Sequence, residues 1–238
     1  MRNLYKLYYR DYFKHVDFKA LDSVASKRAV LEANRMLTAP VNPRDLKVGD
    51  LGEGVRTFEL QVLYPGLVTG VGIQHEASVE GEFKLGLHID YTTGLPVIYG
   101  SSIKGVVRSY FADTYNGTAD VNRLIDDIFE KNKSIYDKDI FYDAVIVAAS
   151  ADNKILASDA IASHGTSDPH YPLIEPNPIS FVKIAPGVKL SFRFRLVDTR
   201  DEAGNVLMLA EEKLQLFKTI LTTYGIGAKT NTGYGQLI

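Results

Sequence analysis

Two glycine-framed segments carry residue types suited to holding phosphate oxygens. One is Pro96-Val97-Ile98-Tyr99-Gly100-Ser101-Ser102-Ile103-Lys104-Gly105-Val106-Val107-Arg108, and the other is Gly225-Ile226-Gly227-Ala228-Lys229-Thr230-Asn231-Thr232-Gly233-Tyr234-Gly235. Glycine leaves backbone N–H groups unobstructed, and each segment adds cations and hydroxyls. In the first, Gly100 permits a tight turn and Ser101 or Ser102 can cap a helix whose first amides face outward as an anion site. Lys104 and Arg108 are four apart and share one helical face. The simpler reading is a capped helix with a solvated basic face. In the second, four glycines in eleven residues surround Lys229, Thr230 and Asn231, a composition costly in chain entropy for a plain connection. This is no P-loop, because Lys229 follows Ala228 and the loop follows a helix instead of opening one. The dinucleotide fingerprint fails too, since Thr230 stands where its third glycine belongs. Neither segment carries a nucleophile, a base or a metal cage, so the reading is binding without catalysis and without a cofactor.

Histidine is where acid–base chemistry would be sought. His88 and Asp90 flank Ile89, while Asp159, His164, Asp168 and His170 gather in a proline-rich stretch. A metal site or a ribonuclease pair could be built from these, but no spacing matches a metal motif. Hydrogen-bonded structural histidines are the simpler reading. On another predicted strand Lys189, Arg193 and Arg195 face one way, an RNA-tracking surface or a merely solvated one.

The elements that position these groups follow from periodicity. Phe58, Leu60, Val62 and Tyr64 alternate as a half-buried strand. Ile103, Val106, Val107, Tyr110 and Phe111 fall at helical spacing, and Val121, Leu124, Ile125, Ile128 and Phe129 repeat it behind an Asp120 cap. Phe141 to Ala149 reads as a buried strand, and Leu190, Phe192, Phe194 and Leu196 form the inward face of another. Asn205 to Tyr224 is the predicted last helix, with Gly225 as its C-cap, and Tyr234 to Ile238 a short closing strand. The order strand, helix, strand, strand, helix, strand is α+β, a modified ferredoxin-like or RRM-type fold with long insertions near 66–86 and 150–178. Residues 1–57 are expected to be a helical, aromatic extension packed on a 58–238 core, with a helix from about Leu21 to Leu37. Five aromatics in the first thirteen positions stand beside Lys and Arg, where they could stack on bases or dock on the core.

The chain of 238 residues is 45% hydrophobic and 24% charged, with a net charge of −2 and no cysteine. Disulfide and thiolate chemistry are excluded, and any polyanion must be held by a local patch. The longest apolar run, Ala144 to Ala149, is too short to cross a bilayer, and the first residues do not read as a signal peptide; a cytoplasmic location is the expectation.

Together these segments resemble the RAMP superfamily of CRISPR effector proteins. GLHIDYTTGLPVIYGSSIKGVVRSYF (Gly86 to Phe111) is similar to the G-x-H…G-x-P-x-I-x-G-S-S-x-K-G-x-x-R pattern of the family of sixth subunits of the type III-B (Cmr) complex. Asp159 to Phe194 resembles that family's D-x-x-x-x-H…P-x-P-I-x-F-x-x-x-x-P-G block, and GIGAKTNTGYG its terminal loop. The family commonly has proline where Tyr99 stands, so the turn before Gly100 is expected to be less constrained. The resemblance implies a modified RRM core and a non-catalytic backbone subunit of an RNA-guided antiviral complex. Its partners would be crRNA, held toward the 3′ end, target RNA and other RAMP subunits, with no membrane or small-molecule substrate. Ser101, Ser102, Lys104 and Arg108 are implied RNA contacts, and Lys229, Thr230 and Asn231 less directly so. The alternatives are an endoribonuclease using His88 or His164, and a subunit that binds only protein neighbours.

Overall fold

The computed structural model describes residues 3–46, 49, 51–69, 77–84, 87–130, 133–162 and 178–238. At its centre is an antiparallel sheet whose strands are β1 (Val55–Gln61), β2 (Val97–Ile98), β3 (Ile140–Phe141), β4 (Ala144–Ala148) and β7 (Lys189–Arg195). The spatial order is β1-β7-β4-β2, with β3 also on β7. The chain end adds to the free edge of β1, since the Gln61 and Ile238 amides donate to each other's carbonyls at 2.7 and 3.0 Å and the Leu63 amide donates to Gln236 O. The terminal segment, β1, β7 and β4 therefore lie side by side in the order that a β-α-β-β-α-β unit demands. Helix α2 (Gly100–Thr114) connects β2 to the next strands, and α4 (Ala210–Tyr224) returns the chain to the edge. This is the α+β, ferredoxin-like arrangement expected.

Side-chain alternation explains why the sheet holds these helices. Leu190, Phe192 and Phe194 of β7 are fully buried. Phe58 of β1 stacks on Phe192 at 5.5 Å, while Phe194, Phe141 and Phe217 of α4 pack within 5.4 to 5.6 Å of one another. Ile103, Val107 and Phe111 are the buried stripe of α2, and the Tyr110 and Tyr224 rings lie face to face at 3.8 Å where α2 meets α4. Aromatic side chains of this size each remove large apolar areas from water, the dominant favourable term.

The N-terminal residues join the same core. A π-helical segment, Lys6–Asp11, and α1 (Val24–Leu37) bury Leu4, Tyr8, Tyr12, Val30, Ala33 and Leu37. Ser23 caps α1 by accepting the Ser26 amide. Tyr12 receives the Phe83 amide and donates to Asn34, whose Nδ2 holds Gly81 O. Burial pushes the Tyr8 and Tyr12 hydroxyls well above the usual phenol range.

Several local expectations change. The strand read as Phe141 to Ala149 is interrupted at Tyr142-Asp143, because Asp143 turns its carboxylate to α2 and its carbonyl to Arg193. Tyr64 does not continue the buried face of β1; the strand ends at Gln61 and the Tyr64 side chain is exposed. The predicted helix Asn205–Tyr224 begins only at Ala210. Residues Val206–Met208 are instead β9, paired with β8 (Thr199–Arg200) around Gly204 at φ +86°. Part of the expected irregular stretch 150–178 is a regular ribbon, β5 (Leu156–Ala162) against β6 (Pro178–Ile184), with Ala162 opposite Pro178. In the 66–86 stretch, Leu67 and Val68 bridge to Ile184 and Ala228, and Glu82 accepts the Ser78 and Val79 amides.

Candidate functional site

The two glycine-framed segments, some 120 residues apart in sequence, line one pocket. Its walls are Leu67, Thr69, His88, Ile98, Ser102, Val106, Ile226, Gly227 and Ala228, and its volume is about 210 Å3. Ser102 and Val106 come from the first turns of α2, and residues 226–228 from the loop after α4. The fold brings them together because α2 and α4 lie on the same sheet face, so the start of one meets the end of the other.

The first turn of α2 is built differently from expectation. The N-cap is Tyr99, whose φ of −61° is the value a proline would impose, and no side chain caps the helix. Its ring stacks on His88 at 4.1 Å, so packing supplies the constraint that proline would have supplied. Neither Ser101 nor Ser102 is the cap; both are exposed within the first turn. The Gly100 amide donates to Asp143 Oδ1 at 2.8 Å, so the positive helix end already holds one carboxylate. A Cβ at Gly100 would lie 2.1 Å from Phe141 O, which is why glycine stands there.

Lys104 and Arg108 face away from the pocket. Lys104 Nζ donates to Phe129 O at 2.9 Å, and Arg108 pairs with Glu130, its Nε 2.6 Å from Oε1. Both acceptors belong to the π-turn Asp126–Glu130 that continues α3 (Val121–Ile125). Arg108 remains about half exposed, and a guanidinium with five donors keeps some free for a further oxygen. Gly105 lies between these residues on the open side of α2. Nothing stands within 4 Å of the Cβ it lacks, and its φ is unexceptional. Packing gives no reason for a glycine there.

In the C-terminal loop the glycines permit close backbone approach. A Cβ at Gly235 would meet Ile226 O at 1.9 Å, and one at Gly227 would meet Val68 O at 2.4 Å. The amides of Ile226, Ala228, Thr232, Gly233 and Gly235 all donate to backbone carbonyls, those of Gly235, Val68, Lys229, Thr230 and Gly66. Much of the expected amide cradle is thus committed to closing the loop on itself, and the Ala228 and Gly235 amides tie it to Val68 and Gly66. The outward part is Lys229 to Asn231. Lys229 adopts φ +63° and precedes a short 3-10 turn, Thr230–Thr232; Lys229 and Asn231 are exposed and Thr230 is half-buried. Among the described residues no acid pairs with Lys229.

The titratable residues named from sequence are mostly engaged. Asp90 accepts the Thr92 hydroxyl and the Thr93 amide at 2.6 Å each, closing a turn rather than meeting His88. Asp159 of β5 accepts from Lys183 and from the Tyr234 hydroxyl. Burial pushes its carboxyl up, but these hydrogen bonds outweigh burial and leave it below the usual range. Tyr234 is pushed up to about 12 by burial and by Asp159. This triad locks the β5–β6 ribbon to the glycine-rich loop, a link with no sequence signal because Asp159 and Tyr234 are 75 residues apart. Arg193 is half-buried and holds Asp143 O with Nε and Nη2; Lys189 is exposed. His164, Asp168 and His170 lie outside the described residues. Among the described residues no His/Cys/Asp/Glu group could hold a metal ion, and no described helix is long and apolar enough to cross a membrane.

This pairing of an open-faced first helix with a glycine-rich loop after the last helix coincides with a family match. The family model described as RAMP superfamily covers residues 59–238, from β1 to the last residue of the sheet. The chain belongs to the RAMP superfamily. A curated relative, the CRISPR system CMR subunit Cmr6 of Saccharolobus solfataricus, is 31% identical to this RAMP chain over 152 residues, which are 64% of this chain and 48% of the relative. The chain thus spans about half the length of that relative. The cryo-EM structure of the type III-B Cmr-beta bound to cognate target RNA contains a chain that superposes with a TM-score of 0.57 at 22% identity, covering 77% of this chain and 57% of that one. The crystal structure of Cmr6 from Pyrococcus furiosus gives a TM-score of 0.44 at 22% identity, covering 78% and 98%.

Proposed function

We propose that this chain is a non-catalytic RNA-binding backbone subunit of a type III-B CRISPR (Cmr) complex, holding crRNA toward its 3′ end together with target RNA. Similarity to a curated Cmr6 supports the assembly. The observation that carries RNA contact is the open face of α2, with exposed Ser101 and Ser102 and an unpacked Gly105. Its Ser102 lines one pocket with Gly227 and Ala228, the residues just before the outward Lys229–Asn231 turn. Hydroxyls and one mobile ammonium suit phosphate oxygens, and a helical glycine lets a sugar–phosphate backbone come close. Lys104 and Arg108 add their remaining donors at the margin. A binding role fits the acid–base inventory as well. His88 is buried against Tyr99, and the carboxylates of Asp90 and Asp159 are occupied. The near-neutral net charge of −2 suits a subunit that contributes one part of a continuous groove.

Binding of the purified chain to single-stranded RNA is expected to be weak and to fall with salt, the slope set by two or three phosphates at about −0.7 each. Lys229→Ala lowers that slope by about one contact, and guide RNA crosslinks to the Lys229–Asn231 turn in the assembled complex. Tight, salt-insensitive binding, or metal-independent cleavage of repeat RNA abolished by His88→Ala, overturns this reading.

A further inference from the structure

The pocket between α2 and the glycine-rich loop contains a polar group that the fold leaves unused. His88 is only 6% exposed. Its amide donates to Thr69 Oγ1 at 3.2 Å, and its ring stacks on Tyr99, yet among the described residues neither imidazole nitrogen has a hydrogen-bond partner. Buried polar atoms are rarely left so, because each orphaned donor or acceptor gives up its hydration without a compensating bond. His88 lines the pocket, together with Ser102 and Thr69.

The chemistry of the lining narrows what could satisfy it. Leu67, Ile98, Val106 and Ile226 make the walls apolar, and no lysine or arginine is among the described residues that line it. Burial also pushes the His88 imidazole below its usual range, against the nearby Asp143 carboxylate, which pushes it up. A neutral imidazole offers one donor and one acceptor. Such a site disfavours a phosphate and suits a flat, uncharged heterocycle with its own donor and acceptor edge. At about 210 Å3 it is smaller than the roughly 300–1,000 Å3 of pockets for drug-sized ligands, so it takes one ring system and not a strand.

We propose that this pocket receives a single unstacked nucleobase of the RNA strand lying across α2, recognised on its edge by His88, Thr69 and Ser102. The inference rests on the RNA-binding reading, because the open Ser101–Ser102 turn is where the strand would pass. Single-stranded RNA is commonly held in this manner, with splayed bases stacked and hydrogen-bonded in pockets.

The test compares the full chain with oligouridylate, oligoadenylate and a ribose–phosphate oligomer of the same length that lacks bases. The imidazole C–H signals of the five histidines are followed by NMR, with His88 assigned from the signals lost in His88→Leu. All three oligomers are expected to shift the Ser101 and Ser102 amides with the same salt dependence. Only an oligomer with bases is expected to move the His88 signals, and to bind about tenfold tighter than the base-free one. A folded His88→Leu protein is expected to lose that tenfold preference; if it fails to fold, the wild-type affinities for base-bearing and base-free oligomers decide alone, equal affinities overturning the base pocket. If base-bearing and base-free oligomers shift Ser101 and Ser102 equally, bind equally and leave His88 unmoved, the base pocket is wrong while the RNA-binding reading stands. If no oligomer shifts Ser101 or Ser102, the RNA-binding reading fails, and the pocket proposal with it.

Discussion

Replacing Gly105 with alanine separates what the fold requires from what a ligand requires. Gly105 is inside α2, five residues past its first helical residue Gly100, and its added Cβ would meet nothing within 4 Å. Alanine exceeds glycine in helix propensity by about 0.8–1.0 kcal/mol at such a position. No strain opposes this gain, because the backbone is already helical and, beyond the helix's own bonding, its carbonyl accepts the exposed Ser109 hydroxyl. Gly105→Ala is therefore expected to stabilise the chain by about 1 kcal/mol, raising Tm by about 2–4 °C for a protein of this size. RNA binding is expected to move the opposite way. A methyl group between the helix and a sugar–phosphate backbone displaces the strand and weakens at least one charge-assisted hydrogen bond, about 1.5–3 kcal/mol, or tenfold and more in affinity. Thermal unfolding by circular dichroism measures the first effect, and fluorescence anisotropy with single-stranded RNA at low salt the second. A lower Tm means that this helix face is not open as described. A higher Tm with unchanged RNA affinity means that the glycine is not there to admit RNA, and removes the main support for a strand crossing α2.

Other consequences concern stability. Gly235→Ala is expected to cost at least about 2 kcal/mol in urea unfolding, because φ is +74° and the new Cβ would fall 1.9 Å from Ile226 O. Lys213 and Asp139 form a fully buried pair, Nζ to Oδ2 2.6 Å, with Nζ also donating to Val197 O; Asp139→Ala leaves an uncompensated buried ammonium and is expected to cost about 3–5 kcal/mol, while Lys213→Met with Asp139→Leu recovers most of it. Burial holds the His88 imidazole below its unfolded value of about 6.5, so its contribution is present above that pH and is lost as pH falls through the folded value; between about pH 7.5 and 5, wild type is expected to lose more Tm than His88→Leu. The same sign applies to Asp159, whose net downward shift stabilises above about pH 4 and is lost in acid; Asp159→Asn is expected to flatten the acid limb of the Tm–pH profile and to raise protease sensitivity of the β5–β6 ribbon.

Much of the fold is written in short-range periodicity. The stripe Ile103, Val107, Phe111 and the alternation Leu190, Phe192, Phe194 place a helix and a strand without reference to anything distant, because burial of one face is a local pattern. The α+β order and the family blocks were legible for the same reason. Pairings of separated segments were not. The turn residues Asp201 to Asn205 suit either a helix start or a hairpin, and only the pairing of Thr199 with Met208 decides for the hairpin. Likewise β5 finds its partner only across the proline-rich stretch. The candidate site divides in the same way. Its residue types, Ser101, Ser102, Lys229 and the glycines, stand plainly in the sequence. Which of them are free was decided by tertiary contacts. Glu130 and Phe129 O engage Arg108 and Lys104, and carbonyls of the loop itself and of Gly66 and Val68 engage the loop amides. Among the described residues the His88 imidazole nitrogens are buried without a hydrogen-bond partner. A sequence states which donors and acceptors a chain has; only the packed structure states which are already satisfied, because satisfaction depends on atoms brought within 3 Å from far along the chain.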